Sequence, residues 1–334
     1  MNTLRFAATT ALLLLGLGIL AAPLLTDVFV FALVDSLRLP LGLSALAGLA
    51  LLWFPWRGAY MFGHYLLTYR RVGARTLLVL LLMGALFLSD SDDPSPRPSS
   101  AADPDSGAVR FATLNTLYPI PDLGPKLAFV AESKADVVSI IETRPEWPAA
   151  AEALRGAYPY QIYTEIPSSG YGYGMMLFSR FPVERVSVHP SGRLVHYRVQ
   201  TPGGMVHVVQ VHPHSPFTPG RLYARNRLLA ELAALTPADT GGHPLVLLGD
   251  FNTVPWQKDV RQILRQQGLQ LAGPTTPTFP AINVLSPQKG WKMIPVAPID
   301  YILVPRGARV VKSETHRVDG TDHLGVSADV VLAR

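Results

Sequence analysis

The sequence predicts an α/β sandwich over residues 108–334, preceded by about three membrane-crossing helices within residues 1–89. Three observations carry this expectation. Short runs rich in Val, Ile and Phe recur from residue 108 onward, most ending in a polar residue, as strands buried on both faces do. Amphipathic helical patterns lie between several runs. Strand-like segments nevertheless follow one another directly around residues 160–212, which fits a sandwich better than a strictly parallel doubly wound sheet. Finally, only 16% of the residues are charged and 49% are hydrophobic, against about 25% charged in an ordinary soluble chain. That deficit excludes a disordered or coiled-coil protein and points to membrane segments.

The N-terminal part contains three uncharged runs: Phe6–Leu25 of 20 residues, Leu39–Trp56 of 18 and Thr76–Ser89 of 14. At about 1.5 Å per residue the first is long enough for a hydrocarbon core of about 30 Å. The third is short, and Arg71 and Arg75 would have to snorkel at its end. A competing reading takes residues 1–25 as a cleaved secretory signal, because Arg5 precedes the first run. The further runs that follow closely weigh against it. The loop from Arg57 to Arg75 carries four Arg and no acid, and positive loops stay in the cytoplasm. Three spans with that loop inside place the C-terminal domain on the external, periplasmic side of the inner (plasma) membrane. If the third run does not cross, the domain faces the cytoplasm.

Residues 90–107, rich in Ser, Asp and Pro, read as a solvated linker. Charge follows the same division: +4 over residues 1–89, −4 over 90–105 and +5 over 106–334. No cysteine occurs, so disulfide frameworks, zinc ribbons, iron–sulfur clusters and thiol nucleophiles are excluded.

In the C-terminal domain the expected strands are Val109–Leu114, Asp136–Ile141, Met175–Phe178, Val206–Val211, Leu245–Leu248 and Ile299–Val304. Expected helices are Lys126–Ser133, Pro148–Leu154, Tyr223–Leu235 and Asp259–Gln267, the last closed by Gly268. Asn115, Glu142, His212, Asp250, Asn252, Asp322 and His323 each follow an apolar run or close a strand-like segment, and Asp300 stands near the start of one. Ligand sites in layered α/β folds collect beyond strand ends. Asp250 and Asn252 are two apart, so an extended backbone points both the same way. Carboxylates, amides and imidazoles gathered there describe an oxygen-rich site for Mg²⁺, with Mn²⁺ as the alternative. Zinc fits less well without thiolates or an HExxH motif. The Gly-Tyr-Gly-Tyr-Gly stretch at 170–174 lacks the ending of a phosphate-binding P-loop and reads as a rim loop, with Tyr171 or Tyr173 toward substrate.

Seven segments in order, LNT (114–116), SIIE (139–142), LFSRFP (177–182), VQVHPHSP (209–216), LLGDFNT (247–253), IDYILV (299–304) and TDHLGV (321–326), resemble the endonuclease/exonuclease/phosphatase family. That family includes DNase I-like nucleases, sphingomyelinases and inositol polyphosphate 5-phosphatases, and a bacterial membrane-anchored subgroup has a similar layout. GDFN, IDYI and the final DH are specific together, although each alone is weak. The resemblance covers residues 108–334 and implies a four-layer α/β sandwich with its site at one end.

The resemblance also implies roles. Glu142 is the metal ligand, with Asn115 and Asp322 beside it. Asp250 and Asn252 position the attacking water and meet the phosphoryl group, Asp300 orients the imidazole of His323, and His212 serves as general acid or transition-state donor. His214 is its rival, and His212 is preferred because it immediately follows an apolar run. Blander readings accompany these: a cap at Glu142, an Asx turn at Asn115 and a tight turn at GDFN. Arg180 reads as a brace for the acidic residues, and His189, His196 and His207 as structural or exposed.

The expected activity is metal-dependent hydrolysis of phosphate ester or pyrophosphate bonds, in a lipid or lipid-linked substrate, by in-line attack of water. The alternative is a surface-exposed Mg²⁺-dependent nuclease, for which the basic domain speaks. Arg221, Arg225 and Arg227 lie along one helix and read as a solvated face rather than a nucleic-acid stripe. A non-catalytic scaffold would need none of the polar residues, and no protein partner is legible.

Overall fold

The computed structural model describes residues 2–21, 29–36, five positions between 41 and 47, and everything from 107 onward except 167–173, 236, 283–290 and 333–334. The chain divides into two compact units, residues 1–93 and 94–334. In the first, helix α1 covers Asn2–Ala21 and α2 covers Phe29–Ser36. Among the described residues no helix is long and apolar enough to cross a membrane. Helix α1 covers Phe6–Ala21 of the first expected span, and residues 22–25 of that span lie outside the described residues. Most of the run at 39–56, and all of the run at 76–89, lie outside the described residues, as do the linker up to residue 106 and the loop with Tyr171 and Tyr173.

The second unit is a mixed α/β sandwich. Its strands are β1 (Val109–Asn115), β2 (Val137–Thr143), β3 (Tyr160–Glu165), β4 (Gly174–Ser179), β5 (Val183–Val188), β6 (Leu194–Thr201), β7 (Gly204–Val211), β8 (Leu245–Asp250), β9 (Leu269–Leu271), β10 (Asp300–Pro305), β11 (Arg309–Arg317) and β12 (Leu324–Val331). One sheet runs β11-β12-β1-β2-β4-β3 and the other β5-β6-β7-β8-β10-β9. The helices are α3 (Gly124–Glu132), α4 (Trp147–Ala151), α5 (Pro219–Ala233) and α6 (Lys258–Gln266).

Both faces of the central strands are buried, which is why they read as nearly continuous apolar runs. Val109 and Phe111 of β1 and Val246 and Leu248 of β8 meet in the core between the sheets. Their neighbours point the other way, with the alternation strand geometry imposes. Ala112 and Leu114 pack with Phe129 and Trp147 of α3 and α4, whereas Leu245 and Leu247 pack with Leu229 and Ile263 of α5 and α6. The layers are thus helix, sheet, sheet, helix.

Two pairings are parallel, β1 with β2 and β7 with β8. A parallel pair needs a crossover, and α3 and α5 lie in the connections, so each pair ends at the same edge of its sheet. The antiparallel partners begin there: Asp300 of β10 pairs with Asp250, and β12 pairs Val326 with Thr113 of β1. Helix α5 starts earlier than its apolar pattern, at Pro219, because the Thr218 hydroxyl accepts from the Arg221 N–H at 3.3 Å and Pro219 suits the first turn.

Gly249 fixes how closely the sheets approach. It sits at φ +150°, and a Cβ there would lie 2.0 Å from the Val211 carbonyl oxygen and 2.9 Å from Ile141 Cδ1. Gly249→Ala is expected to destabilise the protein by about 2–4 kcal/mol, through backbone strain and overpacking. Chemical denaturation measures this, and an unchanged midpoint would contradict the packing described.

Candidate active site

The converging strand edges bring eight side chains to one end of the sandwich. Asp300, at the start of β10, is buried, and its Oδ2 accepts from the Thr278 hydroxyl at 2.7 Å and from His323 Nδ1 at 2.8 Å. That bond fixes the imidazole so that Nε2 faces the other carboxylates, 3.9 Å from Asp250 Oδ2 and 3.7 Å from Asp322 Oδ1. Asp250 closes β8. Its Oδ1 accepts the Asn252 N–H at 2.7 Å, and its Oδ2 accepts the amides of Asn115 at 3.0 Å and Asn252 at 3.2 Å. The Asn252 amide also donates to the Pro213 carbonyl, at 3.1 Å. The turn expected from GDFN and the polar pairing therefore coexist.

Asn115 bridges the sheets. Its amide donates to Glu142 Oε1 at 3.2 Å as well as to Asp250, while its own oxygen accepts the Leu117 N–H at 3.1 Å. Glu142 receives the Tyr118 N–H at 3.2 Å on Oε2 and lies 3.4 Å from His212 Nε2 on Oε1. The same His212 nitrogen is 4.0 Å from Asp250. His212, rather than His214, is thus the imidazole that faces the carboxylates.

Backbone irregularity aims these groups. Among the described residues four non-glycine positions have positive φ, and Leu117, Glu142 and Asn252 are three of them. Glu142 stands at a register shift of the β2–β4 pairing, a bulge of the kind that redirects a side chain. Strained positions gather at functional sites because the surrounding contacts hold them there.

The charges are strongly coupled. Burial by itself raises the Glu142 carboxyl, but the His212 imidazole and the charge of His323 outweigh it and hold it down at about 2. Burial and the Asp300 charge push Asp250 up to about 6, against the pull of His323 and His212. His323 would be lowered by burial, yet the charge and hydrogen bond of Asp300, with Asp250 and Asp322 behind it, raise it to about 10. Asp322 is raised by burial, with His323 opposing. Asp250, Asp300 and His323 offer ligand atoms within 4.8 Å of one another, a buried group able by distance to hold a metal. It shares no residue with the expected ligand set Asn115, Glu142 and Asp322. The His323 Nδ1–Asp300 bond already uses two of its atoms.

Two expectations need correction. Arg180 does not brace the acidic cluster: it lies 3.6 Å from Asp136 and over the Tyr158 ring. Strand β4 runs antiparallel to β2, so the end of β4 lies at the start of β2, away from Glu142. Arg225 is not on a solvated face. It is fully buried and donates to the Asn252 carbonyl at 2.9 Å and to Gln257 Oε1 at 3.2 Å, bracing the turn that follows Asp250. Thr278, Thr321 (hydroxyl to the Asn115 carbonyl, 2.6 Å) and the Tyr118 N–H are supports that sequence reasoning missed.

The model of the Endonuclease/Exonuclease/phosphatase family matches residues 127–323. The chain belongs to this family. Its members are phosphoester hydrolases that generally use a divalent metal. No curated protein matches the sequence. Among solved structures, an endonuclease/exonuclease/phosphatase from Beutenbergia cavernae is similar at 22% identity, over 68% of this chain and 72% of its own, with a TM-score of 0.51. A second, from Bacteroides vulgatus, is similar at 17% identity over 68% of this chain and 99% of its own, also with a TM-score of 0.51. At these identities the likeness shows the fold alone.

The raised His323 makes stability depend on pH. A group whose folded value exceeds its unfolded value of about 6.5 stabilises fully below that value, and the contribution fades as pH climbs toward about 10. With divalent metal chelated, Asp300→Asn should be less stable than the wild type at pH 6, with a flatter loss of stability between pH 7 and 10. Thermal melting across pH measures both, and parallel curves would contradict the coupling.

Proposed function

We propose that this family member is a membrane-anchored, metal-dependent phosphoesterase. It hydrolyses a phosphate ester or pyrophosphate bond of a lipid or lipid-linked substrate by in-line attack of water. The observation that supports hydrolysis most directly is the meeting of an ionised Glu142, a raised Asp250 and the Asp300–His323 pair, brought from three strands and the bend before β12. Glu142, Asp322 and Asn115 would hold a Mg²⁺ or Mn²⁺ ion. The donor chemistry fits, since the Glu142 side chain is 23% exposed and ionised, and Asp322 Oδ1 is buried with no hydrogen-bond partner. When bound, such an ion supplies charge neutralisation at the phosphoryl oxygens.

The chain's own groups take the remaining tasks. Asp250, pushed to about 6, is nearest the working pH and takes the proton of the attacking water. Asn115 and Asn252 fix its two oxygens. His323, kept protonated by Asp300, presents Nε2–H as a cationic donor to the developing phosphoryl charge rather than as a base. His212 Nε2, beside Glu142 and Asp250, is the second donor.

Exposed apolar side chains support a substrate held at a lipid surface. Phe217 (67% exposed) follows the His212 loop, and Ile294 (86%) adjoins Met293, whose N–H bonds Ala281 beside Asp322. The apolar runs at 39–56 and 76–89 and the Arg57–Arg75 loop support a multi-pass inner-membrane anchor with the domain on the periplasmic side. The arginines of α5 lend the nuclease alternative no support, because Arg225 is buried and Arg227 pairs with Glu231 at 3.1 Å.

Full-length protein in detergent with Mg²⁺ is expected to release phosphate from lipid phosphates or lipid pyrophosphates. Glu142→Gln should slow this by about 10²–10³-fold while the protein still folds, as circular dichroism would show. Cleavage of plasmid DNA without lipid turnover would overturn the substrate class, and full activity in Glu142→Gln the metal assignment.

A further inference from the structure

Three histidines from separate parts of the chain meet beside the middle of β7, away from the catalytic edge of the second sheet. His196 lies on β6, His207 on β7 and His243 in the loop before β8. His207 pairs with Leu245, the first residue of β8, whereas Val211 pairs with Gly249 at the catalytic edge. Four residues of strand separate the two, about 13 Å. His196 Nε2 is 2.6 Å from His207 Nδ1, and the ring centres are 4.8 Å apart. The His243 ring is nearly parallel to that of His207, with centres 6.1 Å apart. His207 is buried, His196 partly buried and His243 exposed.

We propose that His196, His207 and His243 form a second metal site, for a late first-row transition ion such as Zn²⁺, distinct from the catalytic centre. Imidazole nitrogen is the donor such ions favour over the oxygen-rich set preferred by Mg²⁺. Two imidazoles on one tetrahedral ion, with Zn–N about 2.0–2.1 Å, have ring centres about 5.2 Å apart and nitrogens about 3.3 Å apart. The His196–His207 separation of 4.8 Å is close to the first figure, whereas His243, stacked on His207 at 6.1 Å, must turn before a ring nitrogen can aim at the same ion. The His196–His207 nitrogens need to part by about 0.7 Å to reach the second.

The third ligand closes by rotation of His243. It follows Gly241 and Gly242, both at positive φ (+58° and +76°), and its ring, though stacked on His207, is exposed to solvent. Metal ligation requires neutral imidazole. Burial, with His196 and His243 crowding the ring, holds His207 at about 4, and burial also lowers His196 against the opposing charge of Asp239. An ion here clips β6, β7 and the loop leading into β8, so its effect falls on stability and not on turnover.

The test is a Zn²⁺ titration by calorimetry on chelator-stripped, full-length protein in excess Mg²⁺, which occupies the oxygen-rich site, repeated with Co²⁺ for its visible spectrum. The wild type should bind one Zn²⁺, melt at a higher temperature with it, and give the intense absorption of tetrahedral Co²⁺. His243→Ala, changed at an exposed position, should melt like the wild type without Zn²⁺, keep its Mg²⁺-dependent turnover, and bind Zn²⁺ at least tenfold more weakly. His196→Gln should do the same. No Zn²⁺ binding in the wild type, or equal affinity in wild type and His243→Ala, overturns the proposal and leaves an ordinary imidazole–imidazole hydrogen bond.

Discussion

The buried Asp300–His323 hydrogen bond is the interaction on which the site depends. Asp250 and Asp300 are both almost completely buried, and they face each other across the β8–β10 pairing. Two unpaired carboxylates in such a place would be costly. His323 answers both: Nδ1 binds Asp300, and Nε2 stands 3.9 Å from Asp250. The imidazole stays charged because of the acids, while burial and the Asp300 charge push Asp250 up to about 6.

The sandwich exists around this arrangement in a direct sense. Parallel β1–β2 and β7–β8 pairs end at one edge, and antiparallel β10 and β12 begin there, so six chain segments deliver polar groups without any long loop. Gly249 lets the sheets come close enough for Asn115 on one to bond Asp250 on the other. Packing and chemistry are thus coupled at a single residue. The histidine trio at the middle of β7 lies in the same sheet and shares no side chain with the catalytic cluster.

Much of this was legible because strands buried on both faces leave an unusual signature: a continuous apolar run broken by one polar residue. Asn115, Glu142, His212 and Asp250 all carry it. The supports were not legible for physical reasons. Thr278 lies in a Pro-rich loop with no periodicity, and the Tyr118 contribution is a backbone N–H that any residue but proline could make. Arg225 shares a helix with exposed arginines, and only tertiary packing reveals that its guanidinium points inward to the Asn252 carbonyl. Arg180 follows a strand just as Asp250 does, but strand direction, which a single run does not encode, sends it to the opposite end.

The most direct test is the position of the ion. Crystals grown with Mn²⁺, measured for anomalous scattering, should show a peak bound to the Glu142 carboxylate with Asp322 facing it and Asp250 within reach through solvent. A peak held by Asp300 and His323 with Glu142 left out, or no peak at this end of the sandwich, would contradict the account.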